Sequence, residues 1–109
     1  MVFVTVPDHA SALEIARAVV DRRLAACVNV VTAVTSVYRW KGTIREEGEE
    51  LLVIKTTRDR VAALLDAVTE AHPYEVPEGL VIGVEEGLSP YLEWVLTSVA
   101  PAENASEER

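Results

Sequence analysis

Imidazole and thiol are scarce in this chain, and they stand far apart, at His9, Cys27 and His72. His72 is the best placed of the three. It closes an apolar helical stretch directly before Pro73, where the negative end of a helix dipole favours an imidazolium, and Tyr74 and Glu75 follow it. Imidazole and carboxylate together could hold a divalent ion; a structural role, capping the carbonyls of the helix end, is the alternative. Cys27 opens a β-rich arm. It is either a small buried core residue or, if accessible, a thiolate ligand for Cu(I) or Zn. His9, at the start of the first helix, is expected to be exposed. Most carboxylates of so acidic a chain are expected to be solvated, with Glu49 as the exception. Strict alternation sets Glu49 on one face with Leu51, Val53 and Lys55, where it could be drawn into a cleft. A carboxylate and a lysine in one groove could bind a polar ligand or pair across subunits. Phosphate-binding glycine loops, paired zinc-type cysteines and a GxSxG elbow are absent, and Ser, His and Cys show no triad spacing. The chain therefore reads as non-enzymatic.

These side chains must be positioned by a long hairpin that runs from Ala26 to Thr57. Both arms are rich in Val, Ile, Thr, Tyr and Trp, types that suit a pleated, half-buried surface. Lys41-Gly42 between them supplies a residue able to take positive φ in a tight turn. Each arm exceeds the usual strand length of about 5–6 residues, so the hairpin should overhang a small domain. Tyr38 and Trp40 near its tip add apolar bulk that one domain could hardly cover. Bare strand edges of that length call for a partner.

Before the hairpin, Val2–Val6 reads as a strand closed by Pro7. Asp8, or the capping-box match Ser11-x-x-Glu14, starts a helix whose apolar positions are Ala12, Ile15, Ala16 and Val19. Gly48, inside the acidic run 46–50, is a candidate bulge. A second helix, capped by Thr57 or Asp59, carries Val61, Leu64, Leu65 and Val68 and ends at His72-Pro73. Residues 79–84 read as a further strand. Ser89-Pro90 reads as a hydroxyl cap followed by proline, opening a last helix. The order β-α-β-β-α-β plus a terminal helix predicts an α+β, ferredoxin-like antiparallel sheet with two helices on one face. Residues 1–100 form a single domain and 101–109 a polar, frayed tail.

Composition narrows the function. Half of the 109 residues are apolar, and 18 Asp and Glu against 10 Lys and Arg give a formal charge of −8. That balance argues against nucleic acid, which needs clustered Lys and Arg. The sequence has no apolar run long enough to span a bilayer and no signal-peptide pattern, so cytoplasmic residence is expected.

Together, Ala26-Cys27-Val28-Asn29, Ser36-x-Tyr38-x-Trp40-x-Gly42, Glu49-x-Leu51-x-x-Ile54-Lys55-Thr56, His72-Pro73-Tyr74-Glu75-x-Pro77 and Tyr91-x-x-Trp94 resemble the CutA family of divalent-cation tolerance proteins. The resemblance implies a tight homotrimer of ferredoxin-like subunits with the hairpins packed between them. Tyr38, Trp40, Glu49, Lys55, Tyr74, Tyr91 and Trp94 then lie at the trimer interface or its clefts. It also implies a response to metal ions, with copper or another divalent cation bound weakly through His72, Glu75 and Cys27, and no obligatory cofactor. Where some members have a first-strand cysteine and paired histidines before Pro-Tyr, this chain has Val4 and Ala71-His72, so His72 is the one such ligand that carries over. Two other readings share the fold. A small-molecule sensor resembling the nitrogen-regulatory PII proteins would carry a long mobile loop, which Lys41-Gly42 does not supply. An acylphosphatase-like enzyme would need an arginine-bearing loop after the first strand, and residues 6–9 lack one.

Overall fold

The computed structural model describes residues 1–101; apart from Pro101, the tail expected over 101–109 lies outside the described residues. Its elements are β1 (Val2–Val6), α1 (His9–Asp21), β2 (Cys27–Trp40), β3 (Thr43–Lys55), a 3-10 turn (Arg58–Arg60), α2 (Val61–Ala71), β4 (Leu80–Val81) and α3 (Ser89–Ser98). The four strands form one sheet in the order β2-β3-β1-β4, with β2/β3, β3/β1 and β1/β4 all antiparallel.

Alternation in β1 builds the core. Val2, Val4 and Val6 are fully buried on one face, beside Leu52 and Ile54 of β3. Against them pack Ala12, Ile15 and Val19 of α1 and Leu64, Ala67 and Val68 of α2, in a single cluster. Both helices therefore cover the same side of the sheet. Fully burying a Val, Leu or Ile side chain stabilises by about 1.5–3 kcal/mol, so this cluster is the main source of stability. The opposite face, with Phe3, Thr5, Leu51 and Val53, is half-buried and faces away from α1 and α2.

Local chemistry explains the element ends. Asp8 caps α1 by accepting a 2.7 Å hydrogen bond from the Ser11 amide, which leaves the Ser11-x-x-Glu14 box unused. That bond holds the Asp8 carboxyl below its ordinary range. At the other end Arg23 takes φ 57°, and the Leu24 and Arg23 amides donate to the Val19 and Val20 carbonyls. This is the six-to-one and five-to-two pattern that usually recruits glycine. At the hairpin turn Lys41 and Gly42 both have positive φ, 49° and 78°, as a two-residue type I′ turn demands. α2 stops at Ala71, with His72 extended before Pro73. α3 starts at Ser89 behind Leu88, so Ser89 is its first residue and gives no side-chain cap. Its C-terminus is capped instead by Arg60, whose Nε and Nη2 donate to the Val99 carbonyl at 2.9 and 2.6 Å.

Two strand expectations are corrected. The last strand is only Leu80–Val81, held by Val2 and Phe3, rather than the whole of 79–84. The bulge is in the other arm. Gly48 pairs regularly with Thr35, whereas β2 jumps from Val31 opposite Leu51 to Val34 opposite Glu49. Thr32 and Ala33 thus share one partner position, and Ala33 adopts φ 60°. Beyond Glu50, β3 has no partner in β1, so Val34–Trp40 and Thr43–Glu49 run on as a two-stranded ribbon. The ribbon helps to explain extents of 48 × 27 × 22 Å.

A left-handed backbone costs an L-residue with a Cβ about 1–2 kcal/mol, more when branched. Ala33→Val should therefore lower unfolding free energy by at least about 1 kcal/mol in urea titrations, while Ala33→Gly leaves it unchanged or higher.

Candidate functional site

The bulge decides what the ribbon presents. Directly paired residues in a sheet share a face. Past Thr32-Ala33, Val34, Ser36, Tyr38 and Trp40 sit opposite Glu49, Glu47, Arg45 and Thr43, on the side away from α1 and α2. Against this side folds the segment after α2, residues 73–78. Between them lies a cleft of about 720 Å³ whose lining includes Thr5, Ser36, Tyr38, Trp40, Arg45, Glu47, Glu49, Tyr74, Glu75 and Glu78.

His72 fastens the segment. Its ring is buried, 8% exposed. Nδ1 lies 3.1 Å from the Tyr74 amide, which donates to it, so Nε2 carries the proton and donates to the Thr5 carbonyl at 2.7 Å. The Tyr74 ring stands 4.8 Å from the His72 ring. Tyr74 in turn donates its hydroxyl to Glu49 Oε2 at 2.8 Å. Glu49 is only 7% exposed, and among the described residues it has no ion-pair partner. Burial, then the Glu49 carboxylate that the hydroxyl meets, push the Tyr74 phenol well above its ordinary range. Burial and Glu47 act on Tyr38 in the same direction.

The structure thus gathers Tyr38, Trp40, Glu49, Tyr74 and Glu75 around one cleft, and adds Glu47, Glu78, Arg45 and Thr5, which sequence reasoning missed. For Glu47 and Arg45 the signal was the alternation of β3 back from Glu49; Thr5 on β1 and Glu78 in the loop after α2 carried none. Lys55 does not line the cleft: it pairs with Cys27, roughly 20 Å along β3 from Glu49 at about 3.4 Å per residue. Tyr91 and Trp94 form their own ring pair on α3, with centroids 5.6 Å apart, and do not line the cleft. His9 is more than an exposed residue, since its Nδ1 meets Glu50 at 2.8 Å.

The metal expectation meets this geometry directly. Both nitrogens of His72 are committed to the backbone, Glu75 is exposed across the cleft, and Cys27 lies at the far end of the sheet. Among the described residues no three His, Cys, Asp or Glu side chains form a group that could hold a metal ion. Within one chain, then, these residues do not fit a copper or zinc centre.

The sequence supplies the relatives. Residues 1–98 match the family described as CutA1 divalent ion tolerance protein. The chain belongs to the CutA1 family. Human Protein CutA is 55% identical over 93 residues, 85% of this chain and 52% of that protein, so the chain spans about half the length of that relative. The divalent-cation tolerance protein CutA of Thermus thermophilus is 45% identical over 95 residues, covering 87% of this chain and 92% of that one. The crystal structure of CutA from Xylella fastidiosa superposes with a TM-score of 0.89 at 40% identity, over 91% of this chain and 95% of that one. The α+β sheet with its helices is therefore the CutA1 fold. No helix among the described residues is long and apolar enough to cross a membrane.

Two predictions follow from the Tyr74 and His72 bonds. Because its folded pKa is raised, Tyr74 contributes stability that is whole below the ordinary tyrosine value of 10.0 and is lost as pH climbs above it. Tyr74→Phe should cost about 1–2 kcal/mol at neutral pH by leaving Glu49 without its donor, and the variant should lose less stability than wild type between about pH 9 and 11. Calorimetric titration with Cu(II) and Zn(II) near pH 7.5 should give the same isotherm for wild type and His72→Ala, although the variant melts earlier; a selective loss of binding would make His72 a ligand after all.

Proposed function

We propose that this CutA1-family chain serves divalent-cation tolerance as a non-enzymatic homotrimer in the cytoplasm, without an obligatory cofactor. The subunit is ferredoxin-like on this reading: a β2-β3-β1-β4 antiparallel sheet with two helices on one face is a split βαβ arrangement, and α3 is added to it.

The observation that carries the trimer is the unpartnered ribbon. Its outer strand, β2, is a free sheet edge along its whole length, and Val37 and Ile44 on the ribbon are 67% and 64% exposed. At the opposite edge Leu80 of β4 is exposed, as are Val76, Ile82, Val84 and Leu88 in the segments before and after that strand. A long bare edge invites pairing unless something covers it. Two different edges on one sheet suit a head-to-tail contact, which closes into a ring when the rotation allows. Three copies covering one another's ribbons would bury the apolar surface that a single chain leaves in water.

Tolerance on this reading needs no built copper centre. Copper or another divalent ion binds weakly, at exposed carboxylates such as Glu75, and His72 serves the fold. The sensor reading that resembles PII proteins draws no support from the hairpin, which closes in two residues instead of a long loop.

Sedimentation velocity at micromolar concentration should show one species of three subunits, and a stable folded monomer there would overturn the assembly. Trp40→Ala should lower the trimer's melting temperature, since truncating a tryptophan buried between subunits costs about 3–5 kcal/mol.

A further inference from the structure

The chain has two histidines, and their surroundings answer a proton in opposite ways. We propose that His72 is a proton-operated latch: a proton on its Nδ1 breaks the bond from the Tyr74 amide and releases residues 73–78 from the sheet while the core stays folded. Every bond involved lies within one chain, so the inference stands independently of the trimer.

The bonding pattern is the first support. A neutral imidazole has one donor and one acceptor, whereas an imidazolium has two donors and no acceptor. In His72 both neutral roles are filled: Nε2 donates to the Thr5 carbonyl at 2.7 Å, and Nδ1 accepts from the Tyr74 amide at 3.1 Å. A further proton can go only to Nδ1, and two N–H groups then face each other. The ring is buried, and a buried N–H without an acceptor is costly, so the Tyr74 amide has to turn away. Nε2 keeps its bond to Thr5, which leaves the ring anchored on β1 while the segment departs. That segment has little else to hold it. Among the described residues, its two hydrogen bonds to the rest of the chain both start from Tyr74, the second running from the hydroxyl to Glu49.

The groups around the ring are the second. On β1 it faces the uncharged Thr5 carbonyl, and in the segment the Tyr74 ring, 4.8 Å away, with the Glu49 carboxylate of β3 beyond its hydroxyl. Glu75 and Glu78 follow in the same segment. On the helix side, the His72 amide donates to the Val68 carbonyl, so the negative end of α2 points at this residue. Carboxylates and helix carbonyls give a charged ring company, so a proton can be taken up without unfolding the whole chain. His9 is the contrast. Its Nδ1 meets the Glu50 carboxylate at 2.8 Å, and a proton there adds charge to a bond already made. Acid therefore tightens the contact of His9 and breaks one at His72, which makes the two separable by experiment.

The test is NMR of the full-length protein, as it assembles in solution, followed at backbone amides and histidine rings from pH 8 to pH 5. That range spans the ordinary histidine value of about 6.5. The Tyr74 amide proton should shift upfield, as a lost hydrogen bond requires, with the same midpoint as the His72 ring signals. Its protection against exchange, corrected for the intrinsic effect of pH, should fall at least about tenfold, while amides of β1 stay protected. His72→Gln offers Thr5 a donor but takes up no proton, and should make the Tyr74 amide insensitive to pH over this range. His9→Gln should respond as wild type does. If His72→Gln folds poorly, the wild-type comparison of the two midpoints decides alone. A His72 ring that gains its proton with the Tyr74 amide unmoved, or that stays neutral throughout the range, would overturn the latch. So would a response that survives in His72→Gln or disappears in His9→Gln.

Discussion

One extra residue in β2 sets the relation between the core and everything outside it. Up to Val31 the strand obeys the register that packs Val28 and Val30 against the helices. With Thr32 and Ala33 both opposite Glu50, the alternation shifts by one. Ser36, Tyr38 and Trp40 then fall on the face away from α1 and α2, with Glu47 and Glu49. Were the ladder regular, the even-numbered side chains would continue on the helix side, and both aromatics would face away from Glu49. A one-residue slip turns a whole strand over. Here the protein uses that property to join a conventional core to a ribbon whose chemistry faces elsewhere. The cost is a left-handed alanine, which the surrounding ladder holds in place on both sides.

A second constraint ties the helix layer to the same face. Pro73 stops α2 and holds His72 extended. From there the imidazole reaches through to the Thr5 carbonyl on β1, while its other nitrogen takes the Tyr74 amide. Tyr74 is thereby aimed at Glu49. The series Thr5, His72, Tyr74, Glu49 links β1, the end of α2, the loop and β3 through three bonds of ordinary length. Each step satisfies a polar group that would otherwise be buried unpaired, so the series is costly to break anywhere. A neutral histidine with both nitrogens engaged is a fastener, and that accounts for a His-Pro-Tyr sequence without a metal.

Much of this was legible in the residues. The apolar stripe of α1, the two-residue turn and the stop at His72-Pro73 rest on short-range rules that need no tertiary context. The bulge was not legible, because glycine marks where a backbone can bend, and Gly48 looked more permissive than Ala33. The sheet chose otherwise: the Thr35–Gly48 pair is regular, and the extra residue falls where β3 leaves β1. Residues 79–84 carried strand-like apolar types, but β1 offers partners to only two of them. Glu49 was singled out by alternation alone, whereas its company in the cleft depended on the shifted register of β2. His72 drew attention for its chemistry, and only the positions of Thr5 and Tyr74 show how that chemistry is used.

The acidity of the chain takes on a different meaning once burial is known. Most of its carboxylates are exposed, where water and salt screen them within about 10 Å and their interactions contribute little. Glu49 is not in that population. Its charge lies behind the Tyr74 ring in a partly enclosed cleft, with further carboxylates along the rim, and low-dielectric walls concentrate such a field. That field bears first on Tyr74, whose phenol is pushed above its ordinary range by burial and by the Glu49 carboxylate. The hydroxyl therefore stays protonated and goes on donating to Glu49, so the buried carboxylate maintains the donor that satisfies it.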